Sequence, residues 1–223
     1  MKSGWFFGTP MWQAYLEEYA KTRPECLYEW KTSPLADDED FSDLDKLVCP
    51  IPFDHVVSTH LSQVIDLRIH KWSDVRKSYR GLINQANKRL LYFRQADAYH
   101  YMNIHMEAFG QCRNEQTYSI QEQWIKDGYA FCLTSIDGQS GEHAAAALWI
   151  TYKECAYYAS GPSLQDNVQH AMVWESLFHL KDLGITLVEL GQIDGETEKE
   201  KNIGKFKAGF GGEAKPFTIV RRV

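Results

Sequence analysis

Ile203-Gly204-Lys205-Phe206-Lys207-Ala208-Gly209-Phe210-Gly211-Gly212 closes the stretch on which the reading of this chain turns, a stretch that begins at Ala156. Its glycines and paired phenylalanines read as a short turn of helix closing on a tight loop. Just upstream, Leu187-Val188-Glu189-Leu190-Gly191 reads as a buried strand. Before that, Val173, Leu177, Leu180 and Gly184 recur at helical spacing, and Gly184 is placed to end the helix in a left-handed turn. Asp166 is placed to cap this helix, with Gln169 three residues on as the reciprocal partner of a capping box. The helix follows Cys155-Ala156-Tyr157-Tyr158-Ala159-Ser160-Gly161, whose alternating small and aromatic residues suit a half-buried strand.

This order of elements and motifs resembles the GNAT acyltransferase superfamily, and within it the FemABX-like branch. The resemblance rests on Tyr157-Tyr158 and Gly161, on Trp174-Glu175 in the helix, and on Glu189-Leu190-Gly191. Its most specific part is Lys205-Phe206-Lys207-Ala208-Gly209-Phe210-Gly211-Gly212-Glu213. It implies an α/β chain with a mixed sheet (α+β in layout) and a GNAT fold carrying an N-terminal extension. Residues 89–223 would form the GNAT-like domain. Residues 1–88 would pack on it and shape the acceptor side.

Along the domain, the expected elements are a strand at Leu90 to Arg94, helices over Ala98 to Phe109 and Ile120 to Lys126, and strands at Tyr129 to Thr134, Ala144 to Tyr152 and Phe217 to Val220. In the first 88 residues, Pro10 to Ala20 reads as a helix and Val64 to Ile69 as a strand. Ser73 is placed to cap a helix bearing Val75, Tyr79, Leu82, Ile83 and Ala86. The acidic run from Asp37 to Asp45 lacks the glycine and terminal glutamate of a calcium loop and reads as a solvated loop.

The net charge of −6 argues against broad nonspecific binding to nucleic acid, while leaving room for a local basic patch. Five cysteines without a CxxC pair, and a start without the apolar run of a secretory signal, fit a reduced, cytoplasmic chain. No window approaches the ~18 apolar residues of a membrane span. No metal site is read. The eight histidines include His100 and His105, whose spacing of five does not share a helix face. Neither Gly-x-Ser-x-Gly nor His-Glu-x-x-His occurs, which leaves hydrolase readings without support.

Lys207 is the first candidate for chemistry. A lysine between Phe206 and an apolar turn is not needed for packing and is expensive to bury unpaired. Glu189, on an otherwise apolar strand, can take a proton from an amine, bind a cation, or pair structurally with Arg or Lys. Tyr157 and Tyr158 must face opposite sides of the sheet, so at most one of them lines the pocket, where a tyrosine can protonate a leaving group; a core role is the other reading for each. Arg76, Lys77 and Arg80 cluster on one helix face and read either as an anion clamp or as a solvated basic face.

The resemblance adds roles to these residues. It implies direct attack by an amine on an activated acyl group, with the protein positioning the reactants and stabilising the oxyanion. The backbone near Tyr158, Ser160 and Gly161 would hold the acyl carbonyl, and Lys207 would serve the oxyanion or the leaving group. Phe206, Trp174 and Glu175 enter the site on the resemblance alone. One departure bears on the donor. Standard acetyl-CoA enzymes of this fold bind pyrophosphate on a glycine-rich loop at a helix start. Here Gly161 to Val168 lacks the second and third small residues, and Asp166 puts a negative charge where pyrophosphate would sit.

That counts against a standard CoA site and agrees with the FemABX-like branch, which the resemblance implies can use aminoacyl-tRNA. Either aminoacyl-tRNA or acetyl-CoA is read as the donor, with no tightly bound cofactor. Lys205, Lys207, Lys215, Arg221 and Arg222 would give tRNA its basic face. The expected function is transfer of an acyl or aminoacyl group to an amine that bears an anionic group. The alternatives are a conventional acetyl-CoA N-acetyltransferase acting on an amino sugar, small amine or modified nucleobase, and a GNAT-like binding module without catalysis.

Overall fold

The computed structural model describes residues 29–31, 55–88, 91–110 and 113–222. The helix expected over 10–20 and the acidic run over 37–45 lie outside them. Among the described residues, one sheet holds β1 (Glu29–Lys31), β2 (His55–Asp66), β3 (Leu91–Gln95), β4 (Ala130–Asp137), β5 (His143–Tyr152), β6 (Cys155–Ser160), β7 (Leu187–Gln192) and β8 (Glu213–Arg222). Its order is β1-β8-β2-β7-β6-β5-β4-β3. Every neighbouring pair is antiparallel except β6 and β7, which run parallel. The helices are α1 (Lys77–Lys88), α2 (Ala98–Phe109), α3 (Glu115–Lys126), α4 (Val168–Asp182) and α5 (Glu198–Ala208). α4 is the crossover that a parallel strand pair requires.

Small residues let helices close on both faces of β5. Ala147 and Trp149 belong to the core under α4, whereas Ala146 and Leu148 belong to the core under α2 and α3. β2 pairs with β8 over 55–64 and with β7 over 62–66, so this part of the first 88 residues is held by ladder hydrogen bonds to both neighbours.

Several element ends differ from the sequence reading, each for a local reason. Ser73 does not cap α1. The Asp74 carboxylate accepts from the Lys71 N–H at 2.8 Å and closes a single turn over Trp72–Asp74. Val75 is then extended and buried, and α1 starts at Lys77. α3 begins at Glu115 rather than Ile120, because Asn114 accepts from the Thr117 N–H at 2.8 Å. α5 is 11 residues long rather than a short turn, started by a capping box between Thr197 and Glu200. The box expected at Asp166 does not form. Asn167 is the N-cap, at φ 65°, and Gln169 donates instead to the Tyr158 hydroxyl and the Ala146 carbonyl.

Candidate functional site

β6 and β7 pair at Cys155↔Leu187, Ala156↔Val188 and Tyr157↔Glu189, and there their ladder ends. Both strands bulge at this point. On β5, Trp149 faces Tyr158 but Leu148 faces Ser160, leaving Ala159 as the extra residue. On β2, Val64 faces Glu189 but Gln63 faces Gly191, leaving Leu190 as the extra residue. Beyond the bulges each strand follows its other neighbour. The Ala146 N–H donates to the Pro162 carbonyl and the Leu164 N–H to Ala144, while the Ile193 N–H donates to Leu61. The sheet forks between Tyr158 and Leu190, so beyond that point the two strands no longer satisfy each other's backbone groups.

Side chains then sort by face. Val188 and Leu190 enter the core under α4, so Glu189 turns to the opposite face, as does its neighbour Tyr157. Glu189 is only 4% exposed, and its Oε1 accepts from the Ser62 hydroxyl at 2.7 Å. Burial, with the Glu189 charge added, pushes the Tyr157 hydroxyl well above the ordinary phenol range. From α5, the Lys207 ammonium donates to the Gln192 carbonyl at 3.2 Å. Lys207 and Tyr157 meet beside Gly191, where an added Cβ would stand 2.9 Å from Lys207 Nζ and 3.2 Å from the Tyr157 hydroxyl. Gly191 also sits at φ +87°, which strains any other residue. Gly191→Ala is therefore expected to cost about 1–2 kcal/mol from backbone handedness alone. A thermal melt should show a fall of roughly 2–8 °C for a chain of this size. An unchanged melting temperature would mean that the fork relaxes without strain.

Tyr158, expected as a catalytic residue, lies on the other face. Its ring centroid is 4.9 Å from that of Trp149, and its hydroxyl accepts from Gln169 at 2.7 Å. It folds over Gly161, where any Cβ would lie 1.7 Å from the hydroxyl. Tyr157, not Tyr158, shares the face of Glu189. Ser160 hydrogen-bonds the Tyr101 hydroxyl, which also accepts from Arg113 at 2.9 Å and is pushed up to about 12 chiefly by burial. Trp174 packs on Trp72 (4.8 Å between centroids) and Phe178 (5.0 Å) along the outer side of α4. Burial raises the Glu175 carboxyl against an opposing pull from His179. Neither residue reaches the fork through any of these contacts.

Phe206 packs on His170 (5.1 Å) and Phe210 (5.2 Å), which anchors one side of α5 and leaves the next residue, Lys207, to face Gln192. The Arg76 N–H donates to the Gly209 carbonyl at 2.9 Å, and its guanidinium lies 5.2 Å from the Tyr79 ring centroid. The start of α1 thus touches the end of α5. Among the described residues, Arg76, Lys77 and Arg80 are in no ion pair.

The structure therefore brings Lys207, Tyr157 and Glu189 to one place, with Arg76 joined to the same helix end. It also adds Ser62 and Gln192, which the sequence reading missed. Their only signal is a polar residue on a strand, and it acquires meaning once β2 is known to flank β7. Among the described residues, no group of three or more His, Cys, Asp or Glu is arranged to hold a metal ion. No helix among them is long and apolar enough to cross a membrane.

No protein-family model matches the chain, and no curated protein matches it in sequence. Solved structures do. The crystal structure of FemX superposes with a TM-score of 0.62 at 13% identity, covering 93% of this chain and 76% of FemX. The fold is GNAT-like, of the kind seen in FemX. L-PGS from Bacillus licheniformis gives 0.60 at 12% identity, covering 92% of this chain and 71% of that one. A GCN5-related glucosamine N-acetyltransferase region in a fungal multi-domain β-N-acetylglucosaminidase gives 0.50 at 12% identity, covering 93% of this chain and 26% of that one.

Proposed function

We propose that this protein is a FemABX-like transferase that moves an acyl or aminoacyl group onto an amine by direct attack. The observation that supports this most is the convergence of the Lys207 ammonium and the Tyr157 hydroxyl at Gly191, beside the fork between β6 and β7. A carbonyl bound there would develop its negative charge beside a fixed cation in a half-buried site, where such a charge is worth more than in water. Tyr157, kept protonated by burial, is suited to donate a hydrogen bond or deliver a proton to the leaving group. The acceptor carries a phosphate or carboxylate, held by Arg76, Lys77 and Arg80 at the start of α1, and the reaction takes place in the cytoplasm.

Aminoacyl-tRNA is the donor we favour. Asp166 is exposed at the approach to α4, and Asn167 caps that helix without a side-chain hydrogen bond. A carboxylate ahead of a helix start opposes a pyrophosphate there. Thermal melts with acetyl-CoA, CoA and a pool of aminoacyl-tRNA test the assignment. A ligand at about a hundred times its dissociation constant adds ~2.7 kcal/mol, or roughly 5–11 °C. The expected result is a shift with aminoacyl-tRNA and none with CoA. A shift with acetyl-CoA instead would assign the protein to conventional N-acetyl transfer.

A further inference from the structure

Ser58, His60 and Ser62 occupy alternate positions of β2 and so face one side of the sheet, the side on which Ser62 meets Glu189. His60 has distinct partners at its two ring nitrogens. Nε2 lies 2.9 Å from the Ser58 hydroxyl. Nδ1 lies 3.0 Å from the Gln192 side-chain amide and 3.5 Å from the Asp194 carboxylate. The Phe217 ring of β8 packs beside it at 5.8 Å. Gln192 is also the residue whose carbonyl holds Lys207, so one residue links the imidazole to the ammonium.

The carboxylate decides where the proton sits. Asp194 beside Nδ1 favours an N–H there, and the Gln192 amide can turn its oxygen toward that N–H, since its two ends are interchangeable in shape. Nε2 then keeps its lone pair and accepts from Ser58. Proton transfer to Nε2 would create an imidazolium paired with Asp194. The side chains of His60 and Asp194 are 22% and 31% exposed, whereas Glu189 is 4% exposed and already holds the Ser62 hydroxyl. A base must be reachable by the group it deprotonates, and of the two His60 is the more open.

We propose that His60, oriented by Asp194, is the base that takes the proton from the attacking amine; this rests on the transferase reading above. The amine lone pair forms the new C–N bond as the carbonyl electrons move onto oxygen beside Lys207. Collapse of that oxyanion breaks the ester C–O or thioester C–S bond. The surplus amine proton passes to His60 Nε2 and leaves on the alcohol or thiol, or to solvent. Among the described residues, the groups in contact with His60 are Asp194 from the segment after β7, Gln192 from β7, Phe217 from β8 and Ser58 from its own strand, and Lys215 shares the face of Phe217 two residues earlier on β8. Of those contacts Asp194 is the charged one.

Two measurements on the full chain test this. In ¹⁵N-labelled protein, with the His60 signals assigned by their loss in His60→Gln, neutral His60 should carry its proton on Nδ1, and Asp194→Asn should move part of that proton population to Nε2. A proton on Nε2 would overturn the proposal, and this readout needs no substrate. In turnover assays with aminoacyl-tRNA or acetyl-CoA as donor and O-phosphoethanolamine as amine, His60→Gln should lower kcat on the order of 100-fold and abolish the acid limb of the pH profile. Glu189→Gln should keep that limb. Wild-type turnover that survives His60→Gln overturns this proposal alone. Wild-type inactivity with both donors removes the transferase reading, and this proposal with it.

Discussion

Lys207→Ala should lower turnover about 100-fold or more while leaving the fold intact. Removing one preformed oxyanion donor typically costs 10²–10³ in kcat, and the proposed reaction uses Lys207, which lies beside the fork, as such a donor. Its Nζ donates to the Gln192 carbonyl at 3.2 Å, and Phe206 anchors α5 through His170 and Phe210. Arginine should not restore activity. Nζ would stand 2.9 Å from a Cβ added at Gly191, and a planar guanidinium needs more room there and aims its donors differently from a point-like ammonium. The loss should appear in kcat rather than in donor affinity, because the interaction forms as charge develops on the carbonyl. Steady-state kinetics with the donor that shifts the melt, alongside circular dichroism of both proteins, would check this. Unchanged turnover would remove Lys207 from the chemistry.

The sequence made the elements around this lysine legible because their signals are local. Val173, Leu177 and Leu180 repeat at helical spacing and are buried in α4, and Gly184 takes φ +85° just past its end. Alternation also told that Tyr157 and Tyr158 part company at the sheet. It could not tell which one meets Lys207, because that depends on Val188 and Leu190 filling the core under α4 and forcing Glu189 to the other side. Contacts that join distant segments were out of reach. Ser62 and Glu189 are 127 residues apart, and His60 and Gln192 are 132 apart. Nothing in the stretch from 55 to 66 announces that it will lie between β7 and β8. The misplaced cap at Asp166 has the same origin. Gln169 fits a capping box on spacing, but the hydroxyl of Tyr158 and the carbonyl of Ala146 claim its amide once the helix lies on the sheet.

Phe210→Ala should be the most destabilising of these changes, lowering stability by about 3–5 kcal/mol and the melting temperature by roughly 6–20 °C. Phe210 is 0% exposed and lies at the meeting point of three elements. Its ring centroid is 5.2 Å from Phe206 of α5, 5.5 Å from Tyr79 of α1 and 6.3 Å from His170 of α4. The neighbours cannot readily collapse into the hole. Tyr79 is fixed by its hydroxyl donating to the Lys205 carbonyl at 3.2 Å, and its ring fills the space over Gly209, where an added Cβ would lie 2.1 Å away. A cavity that stays open retains its full penalty. Because the same ring sets the end of α5, the variant should also loosen Lys207 and reduce turnover beyond the fraction unfolded. Phe210→Leu separates the two effects, since it restores most of the buried volume and should recover most of the stability and, with it, the placement of Lys207. Equal melting temperatures for Phe210→Ala and the wild type would show that α1, α4 and α5 do not depend on this ring for their packing.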